Sequence, residues 1–190
     1  MANFNDDIKN ALEVLRSGGV ILYPGDTVWG IGCDATNRDA VQRVFDIKQR
    51  EAGKSMLILL ENPNFLPQYV EEIPEVAWDI IDYAEKPTTI IYDKAKNLAS
   101  NLIAPDGSIG IRITNEAFTQ QLLQRFRKPI VSTSANLSQQ PCPQCFDDID
   151  EQIKSKVDYT VHYRQSETID RVPSSIIKLG ASGLIKIIRE

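Results

Sequence analysis

The sequence predicts an α/β sandwich with a mixed sheet, in one domain spanning residues 1–190. Three observations lead there. Segments with apolar residues at helical spacing alternate with short apolar runs rich in β-branched residues, as when helices lie on a sheet. The tail then breaks the alternation with three strand candidates in succession, so some strands run antiparallel. No repeat, low-complexity tract or linker divides the chain.

The elements follow in order. Ile8, Leu12 and Leu15 repeat at helical spacing over Phe4 to Arg16, and Gly18-Gly19 stop that helix. Val20 to Tyr23 is a short buried strand leading into a Gly-rich turn, PGDTVWGIG at 24–32. Asn37 reads as an N-cap for a helix of about three turns carrying Val41, Val44, Phe45 and Lys48. Met56 to Leu60 is apolar throughout, as in a strand covered on both faces. Pro63 and Pro74 punctuate two short helical stretches, the second with Val76, Ala77, Ile80 and Ile81 on its apolar face. Thr88–Tyr92 and Gly110–Ile113 are β-branched strands. Phe118, Leu122, Leu123 and Phe126 mark another helix, Pro129 to Ser132 another strand, and 137–147 a loop. The tail supplies strands at Tyr159–Tyr163, Ser175–Leu179 and Leu184–Ile188.

Composition excludes several classes. Apolar residues make up 42% and charged residues 25%, ordinary for a soluble globular chain. No run approaches the roughly 20 apolar residues of a membrane span, and the N-terminus lacks a secretory h-region, so the expected location is the cytoplasm. A formal charge of −5 argues against a general basic coat for nucleic acid. It leaves room for a local basic groove made by Lys48, Arg50, Lys54 and Arg112. Three cysteines are few for a disulfide scaffold. Cys142-x-x-Cys145 invites a metal or redox reading, but no second such pair exists and the flanking Pro141 and Pro143 place it in a loop. No P-loop and no complete dinucleotide fingerprint is present. The sole histidine, His162, lies in the alternating DYTVHYR, where a surface-facing strand position suits it better than a catalytic one.

The positive signals converge on an anionic ligand. Thr27 offers a hydroxyl just past a strand's carboxyl end, where open α/β sheets bind ligands, although it also suits a turn capping its own backbone. Lys48 and Arg50 end a helix, where cations suit the dipole. Two apart on a helix they would diverge, so they converge only if the helix ends between them. Arg112 sits inside the apolar strand GIRI and needs a carboxylate, either interior or from a ligand. Ser132-Thr-Ser134-Ala-Asn136 at a strand end can hold phosphate or carboxylate oxygens, or form a cap or turn.

Taken together, PGDTVWGIGCDA, K-x-R at 48–50, GIRI, S-x-N at 134–136 followed by LSQQPCP, and VPSSIIKL resemble the YrdC family in order and over nearly the whole chain. That resemblance implies a twisted open mixed sheet with helices packed on it around a deep positively charged cavity. It also implies a nucleotidyltransferase that joins L-threonine, bicarbonate and ATP into threonylcarbamoyl-AMP and pyrophosphate, for a tRNA-modifying transferase complex and with tRNA contact. Carried over by position, Thr27, Arg112, Ser132 and Ser174 hold threonine. Lys48, Arg50, Lys54, Ser108, Ser134, Asn136, Cys142 and Arg189 serve ATP, with Lys48 and Arg50 as the catalytic cations. Mg2+ is expected with the ATP phosphates and no metal on the protein itself. The chain departs from the family pattern at Glu51, at Leu59, at Glu85-Lys86-Pro87 and at Pro173-Ser174-Ser175. The competing readings are an RNA-binding protein, double-stranded RNA or tRNA included, and a YrdC-like paralogue with a different carbamoyl acceptor.

Overall fold

The computed structural model describes residues 4–50, 56–168, 172–180 and 183–190. In chain order the elements are α1 (Asn5–Arg16), β1 (Ile21–Pro24), β2 (Trp29–Gly32), α2 (Arg38–Lys48), β3 (Leu57–Leu60), a 3-10 turn (Pro63–Phe65) running into α3 (Leu66–Tyr69), and α4 (Val76–Tyr83). Then come β4 (Thr88–Tyr92), β5 (Ile109–Ile113), α5 (Ala117–Phe126), β6 (Ile130–Ser134), α6 (Glu151–Lys154), β7 (Tyr159–Thr160), β8 (Ser175–Leu179) and β9 (Ile185–Arg189). The strands form one sheet in the order β7-β1-β2-β6-β3-β5-β4-β8-β9. The sheet is mixed: β1/β7, β3/β5 and β4/β8 are parallel and the remaining neighbours antiparallel.

Register decides which side chains meet. Gly30 lies opposite Ser134, Leu57 opposite Ser132, Leu59 opposite Arg112, Thr89 opposite Ile176, and Ile176 opposite Arg189. Side chains alternate along a strand, so these residues share one face. Ile58, Ile90, Ile111, Val131 and Ile177 share the other. On the first face α1 and α5 pack Ile8, Leu12, Leu15, Phe118, Leu122 and Phe126 against Ile21, Leu59 and Ile130. On the second, Val41, Val44 and Phe45 of α2, Leu66 of α3 and Ala77 of α4 join the larger core with Ile31, Ile58 and Val131. The two amphipathic helices cover only part of the first face, and the polar remainder of that face walls a cavity.

Local chemistry explains the boundaries. Asn37 caps α2 by accepting from the backbone N–H groups of Asp39 and Ala40, at 3.0 and 3.1 Å. α1 gives way to Gly18 at φ 80°, a left-handed position that glycine reaches without penalty. Two expectations are corrected. The stretch 24–32 is not a turn throughout: Trp29–Gly32 is a strand paired antiparallel with β1, so the turn shrinks to the hairpin tip. Gly32 is needed there because a Cβ would stand 2.7 Å from the Tyr23 ring and from the Val131 carbonyl. The alternating 159–163 segment is a strand only over Tyr159–Thr160. Beyond it the N–H groups of His162 and Tyr163 go to the carboxylate of Asp7, at 3.0 and 2.8 Å, instead of to a ladder. The short helix α6 carries no signal in the sequence reading. Among the described residues, no helix is long and apolar enough to cross a membrane.

Candidate active site

The first face of the sheet and the hairpin tip enclose a cavity of about 170 Å³. The four residues assigned to threonine, Thr27, Arg112, Ser132 and Ser174, all line it. So do Arg50, Ser134, Cys142 and Arg189 from the nucleotide set. They come from seven separate segments of the chain, and the register described above gathers those that stand on β5, β6 and β9.

Arg112 enters from β5 and is 4% exposed. The sequence required a carboxylate for it, and the structure supplies Asp26, whose Oδ1 is 3.0 Å from Nη2. Nη1 donates to Thr27 Oγ1 at 3.5 Å, the outer limit for such a bond. Nε is buried and has no hydrogen-bond partner among the described residues. A buried donor left unpaired costs free energy, and a ligand carboxylate offers the acceptor. Asp26 escaped the sequence reading because an acid between Gly25 and Thr27 looks like turn chemistry.

Opposite Arg112, Arg189 of β9 donates from Nε to the Ser174 carbonyl at 2.9 Å, and from Nη2 to Ser174 Oγ at 3.4 Å. Ser174 Oγ in turn lies 3.0 Å from Thr89 Oγ1. Thr89, also missed from sequence, holds the serine from the neighbouring strand β4. Its position two residues before Ile91 in a β-branched run gave no sign of a polar task.

Lys48 and Arg50 converge in the way the sequence made conditional: the helix ends between them. Gln49 takes a left-handed conformation at φ 50°, its N–H reaching the Asp46 carbonyl at 3.2 Å and that of Arg50 the Phe45 carbonyl at 3.0 Å. That reversal aims Arg50 into the cavity. Lys48 does not line it. It is 2% exposed, and its ammonium donates to the carbonyl of Ser134 and, at 2.7 Å, to that of Asn136. Its own carbonyl accepts from the Ser138 N–H at 2.9 Å. Lys48 thus braces the S-x-N loop. Burial, then the Arg50 charge, push its ammonium down to about 8, with Cys142 opposing. Burial also lowers the Arg50 guanidinium.

Asn136 is a loop organiser too: its Nδ2 donates to the carbonyls of Leu137 and Gln140, at 3.0 and 2.7 Å. Its Oδ1 is buried with no hydrogen-bond partner among the described residues. Ser108 stands outside the cavity lining, its hydroxyl donating to Asp106 at 2.6 Å. Lys54 lies outside the described residues. Among the described residues, no group of three or more His, Cys, Asp or Glu is arranged to hold a metal ion. Cys142 and Cys145 are free thiols. His162 stands away from the cavity, Nδ1 3.0 Å from Asp7.

A cavity with three arginines and several hydroxyls in its wall suits a ligand rich in anionic oxygens. Residues 13–190 match the family model Sua5_yciO_yrdC, described as telomere recombination. The chain belongs to the Sua5/YciO/YrdC family. Within this family it is similar to the threonylcarbamoyl-AMP synthase of Pseudoalteromonas translucida, 40% identical over 136 residues that make up 70% of this chain and 73% of that one. The threonylcarbamoyl-AMP synthase of Vibrio parahaemolyticus is 29% identical over 92% of this chain and 100% of its own length. A doubly substituted Sua5 of P. abyssi has a TM-score of 0.83 at 26% identity, covering 90% of this chain and 52% of that one. This Sua5/YciO/YrdC chain therefore spans about half the length of that Sua5 and the full length of the Vibrio relative.

Proposed function

We propose that this chain is a threonylcarbamoyl-AMP synthase, joining L-threonine, bicarbonate and ATP. The observation that carries the reading is the convergence of Arg112, Thr27, Ser132 and Ser174 with Arg50, Ser134 and Arg189 on one cavity. Its relatives carry the same activity in their names. The threonine carboxylate takes the Nε side of Arg112, and the hydroxyls of Thr27, Ser132 and Ser174 surround the rest of the amino acid. The amine nitrogen bonds to the bicarbonate carbon as one C–O bond breaks, giving a carbamate and water. One carbamate oxygen then attacks the α-phosphorus of ATP, forming a new P–O bond while the bond to the β-phosphate oxygen breaks and pyrophosphate departs.

Negative charge grows on the phosphoryl oxygens and the leaving group, where the fixed cations Arg50 and Arg189 act. No side-chain nucleophile is needed; the protein positions the reactants and stabilises charge. Lys48 acts on this scheme through the loop it braces, and the buried Oδ1 of Asn136 accepts from the nucleotide. Mg2+ arrives on the ATP phosphates. The product passes to a tRNA-modifying transferase complex, which places the enzyme in the cytoplasm.

The test is pyrophosphate release from ATP with bicarbonate, with and without L-threonine, using L-serine and no amino acid as controls. Release that requires both threonine and bicarbonate, and that Arg50→Gln abolishes in folded protein, supports the proposal. Release with another amine but not threonine moves the assignment to a paralogue with a different acceptor. No release, with steeply salt-dependent RNA binding instead, moves it to an RNA-binding protein.

A further inference from the structure

Arg164 follows β7 and does not line the arginine cavity. Its side chain is nonetheless only 8% exposed. A buried guanidinium needs partners both for its charge and for its donors. Nε donates to Glu167 Oε2 at 2.7 Å. Nη1 stands 3.5 Å from Oε1 of Glu116, a carboxylate that is itself 8% exposed. These two acids answer the charge. A further bond points elsewhere: Nη1 also donates to the Gly25 carbonyl, at 3.2 Å.

Gly25 opens the β1–β2 hairpin tip, and the next two residues, Asp26 and Thr27, are the ones that hold Arg112. Across the tip the Gly25 N–H reaches the Val28 carbonyl at 3.2 Å. That bond sets the shape of the turn but not where the turn stands. A Cβ on Gly25 would lie 2.7 Å from the same carbonyl, so the turn is tight, and a shift of its first residue carries the next two along. Arg164 anchors it from outside the hairpin. Glu116 ties that anchor to α5, because its Oε2 accepts from the N–H and the hydroxyl of Thr119, at 2.7 and 2.8 Å. A chain of contacts thus runs from the first turn of α5 through Glu116, Arg164 and the Gly25 carbonyl to Asp26 and Thr27, and ends on Arg112.

We propose that Arg164 is a positioning residue for the carboxylate site on Arg112. It fixes the hairpin tip so that Asp26 and Thr27 occupy Nη2 and Nη1 of that arginine and leave Nε to the ligand. The Thr27 bond is already 3.5 Å long, so a tip that recedes loses it outright. Arg50 and Arg189 stand on other segments, and this chain of contacts does not reach them. Arg164 therefore governs the amino-acid half of the cavity and not the nucleotide half. The inference deepens the synthase reading and rests on it, since the carboxylate is threonine's.

Pyrophosphate release by the full chain tests the proposal, with L-threonine and ATP titrated separately. Arg164→Met is expected to raise the threonine KM at least about tenfold while moving the ATP KM less than about twofold. A merely structural role would lower kcat with the fraction of folded enzyme and leave both KM values alone. Arg164→Lys keeps a charge between the two glutamates but replaces the fork with one ammonium, and the threonine KM is expected to rise about threefold. The lysine variant also serves if Arg164→Met does not fold. A threonine KM within about twofold of wild type in every folded variant overturns the proposal. Thermal melts without ligand give an independent reading. Because Arg164 acts through the tip, its loss and that of Asp26 should overlap: the variant combining an Arg164 substitution with Asp26→Ala is expected to lose at least about 3 °C less in Tm than the two single losses added. Additive losses overturn the proposal. If wild type releases no pyrophosphate with threonine, the synthase reading fails, and the melts alone decide whether Arg164 positions Arg112.

Discussion

Asp26→Ala isolates the most consequential interaction in the cavity. Arg112 is 4% exposed and the Asp26 side chain 11%, with 3.0 Å between charged atoms. Removing the carboxylate leaves a guanidinium with one long bond to Thr27 and an already unpartnered Nε. Breaking a buried pair from one side costs about 3–5 kcal/mol. A domain of this size loses about 2–4 °C of Tm per kcal/mol, so the expected drop is roughly 6–20 °C. Replacing both partners, Asp26→Ala with Arg112→Met, leaves no stranded charge and is expected to cost less than the single change. Thermal melts at pH 7 measure both. Saturating L-threonine should recover part of the single variant's loss, because its carboxylate supplies the missing anion, and should do nothing for the double variant. A drop below about 1 kcal/mol, or a double variant as unstable as the single one, refutes the reasoning.

Three further outcomes follow from named groups. Lys48 has a folded pKa of about 8 against an ordinary 10.5. Unfolding therefore takes up a proton between those values, and wild-type stability relative to Lys48→Met should rise over that window, by on the order of 3 kcal/mol; urea titrations at pH 7, 9 and 10.5 would show it, and a flat difference would contradict the burial of this ammonium. Asp7 feels burial pushing its carboxyl up, but bonds from His162 N–H, the Tyr159 hydroxyl, the His162 ring and Tyr163 N–H outweigh it and hold the group below its ordinary value. Asp7→Ala should destabilise by about 1–3 kcal/mol at pH 7, and the difference from wild type should shrink as pH falls below 4; equal effects at pH 7 and pH 3 would argue against an ionised Asp7. Cys33 is fully buried and its thiol is pushed up by burial and then by Asp34, whereas Cys142 and Cys145 are half-buried. Iodoacetamide followed by mass spectrometry should label the latter two and spare Cys33, unless the native fold opens around β2.

Much of this was legible in the residues because burial writes a periodic pattern. The helices around Leu12, Val44 and Leu122 showed their apolar stripes, the strand around Ile58 its continuous apolar run, and the strands around Ile90 and Ile111 their β-branched runs. Of the eight carried-over residues that reach one cavity, Arg112, Ser132, Ser134 and Arg189 do so because each stands on a strand whose parity fixes its face. What stayed hidden depended on partners distant in sequence. Whether 161–163 extends a strand is decided by Asp7, in a helix at the other end of the chain. Asp26 and Thr89 have local surroundings that a turn and a strand interior explain fully. Lys48 advertised a charge, but only the buried carbonyls of Ser134 and Asn136 show that the charge is turned inward.

That inward turn has a consequence for how such a site is found and altered. Lys48 grips a carbonyl 86 positions away, and its own carbonyl is gripped from the same loop. Two words of the sequence, K-x-R and S-x-N, are therefore one latch, closed by backbone oxygens that any residue would supply. The latch is indifferent to what is written between its halves. Loops such as those joining β4 to β5 can lengthen or shorten without loosening it, whereas a substitution at Lys48 undoes both words at once.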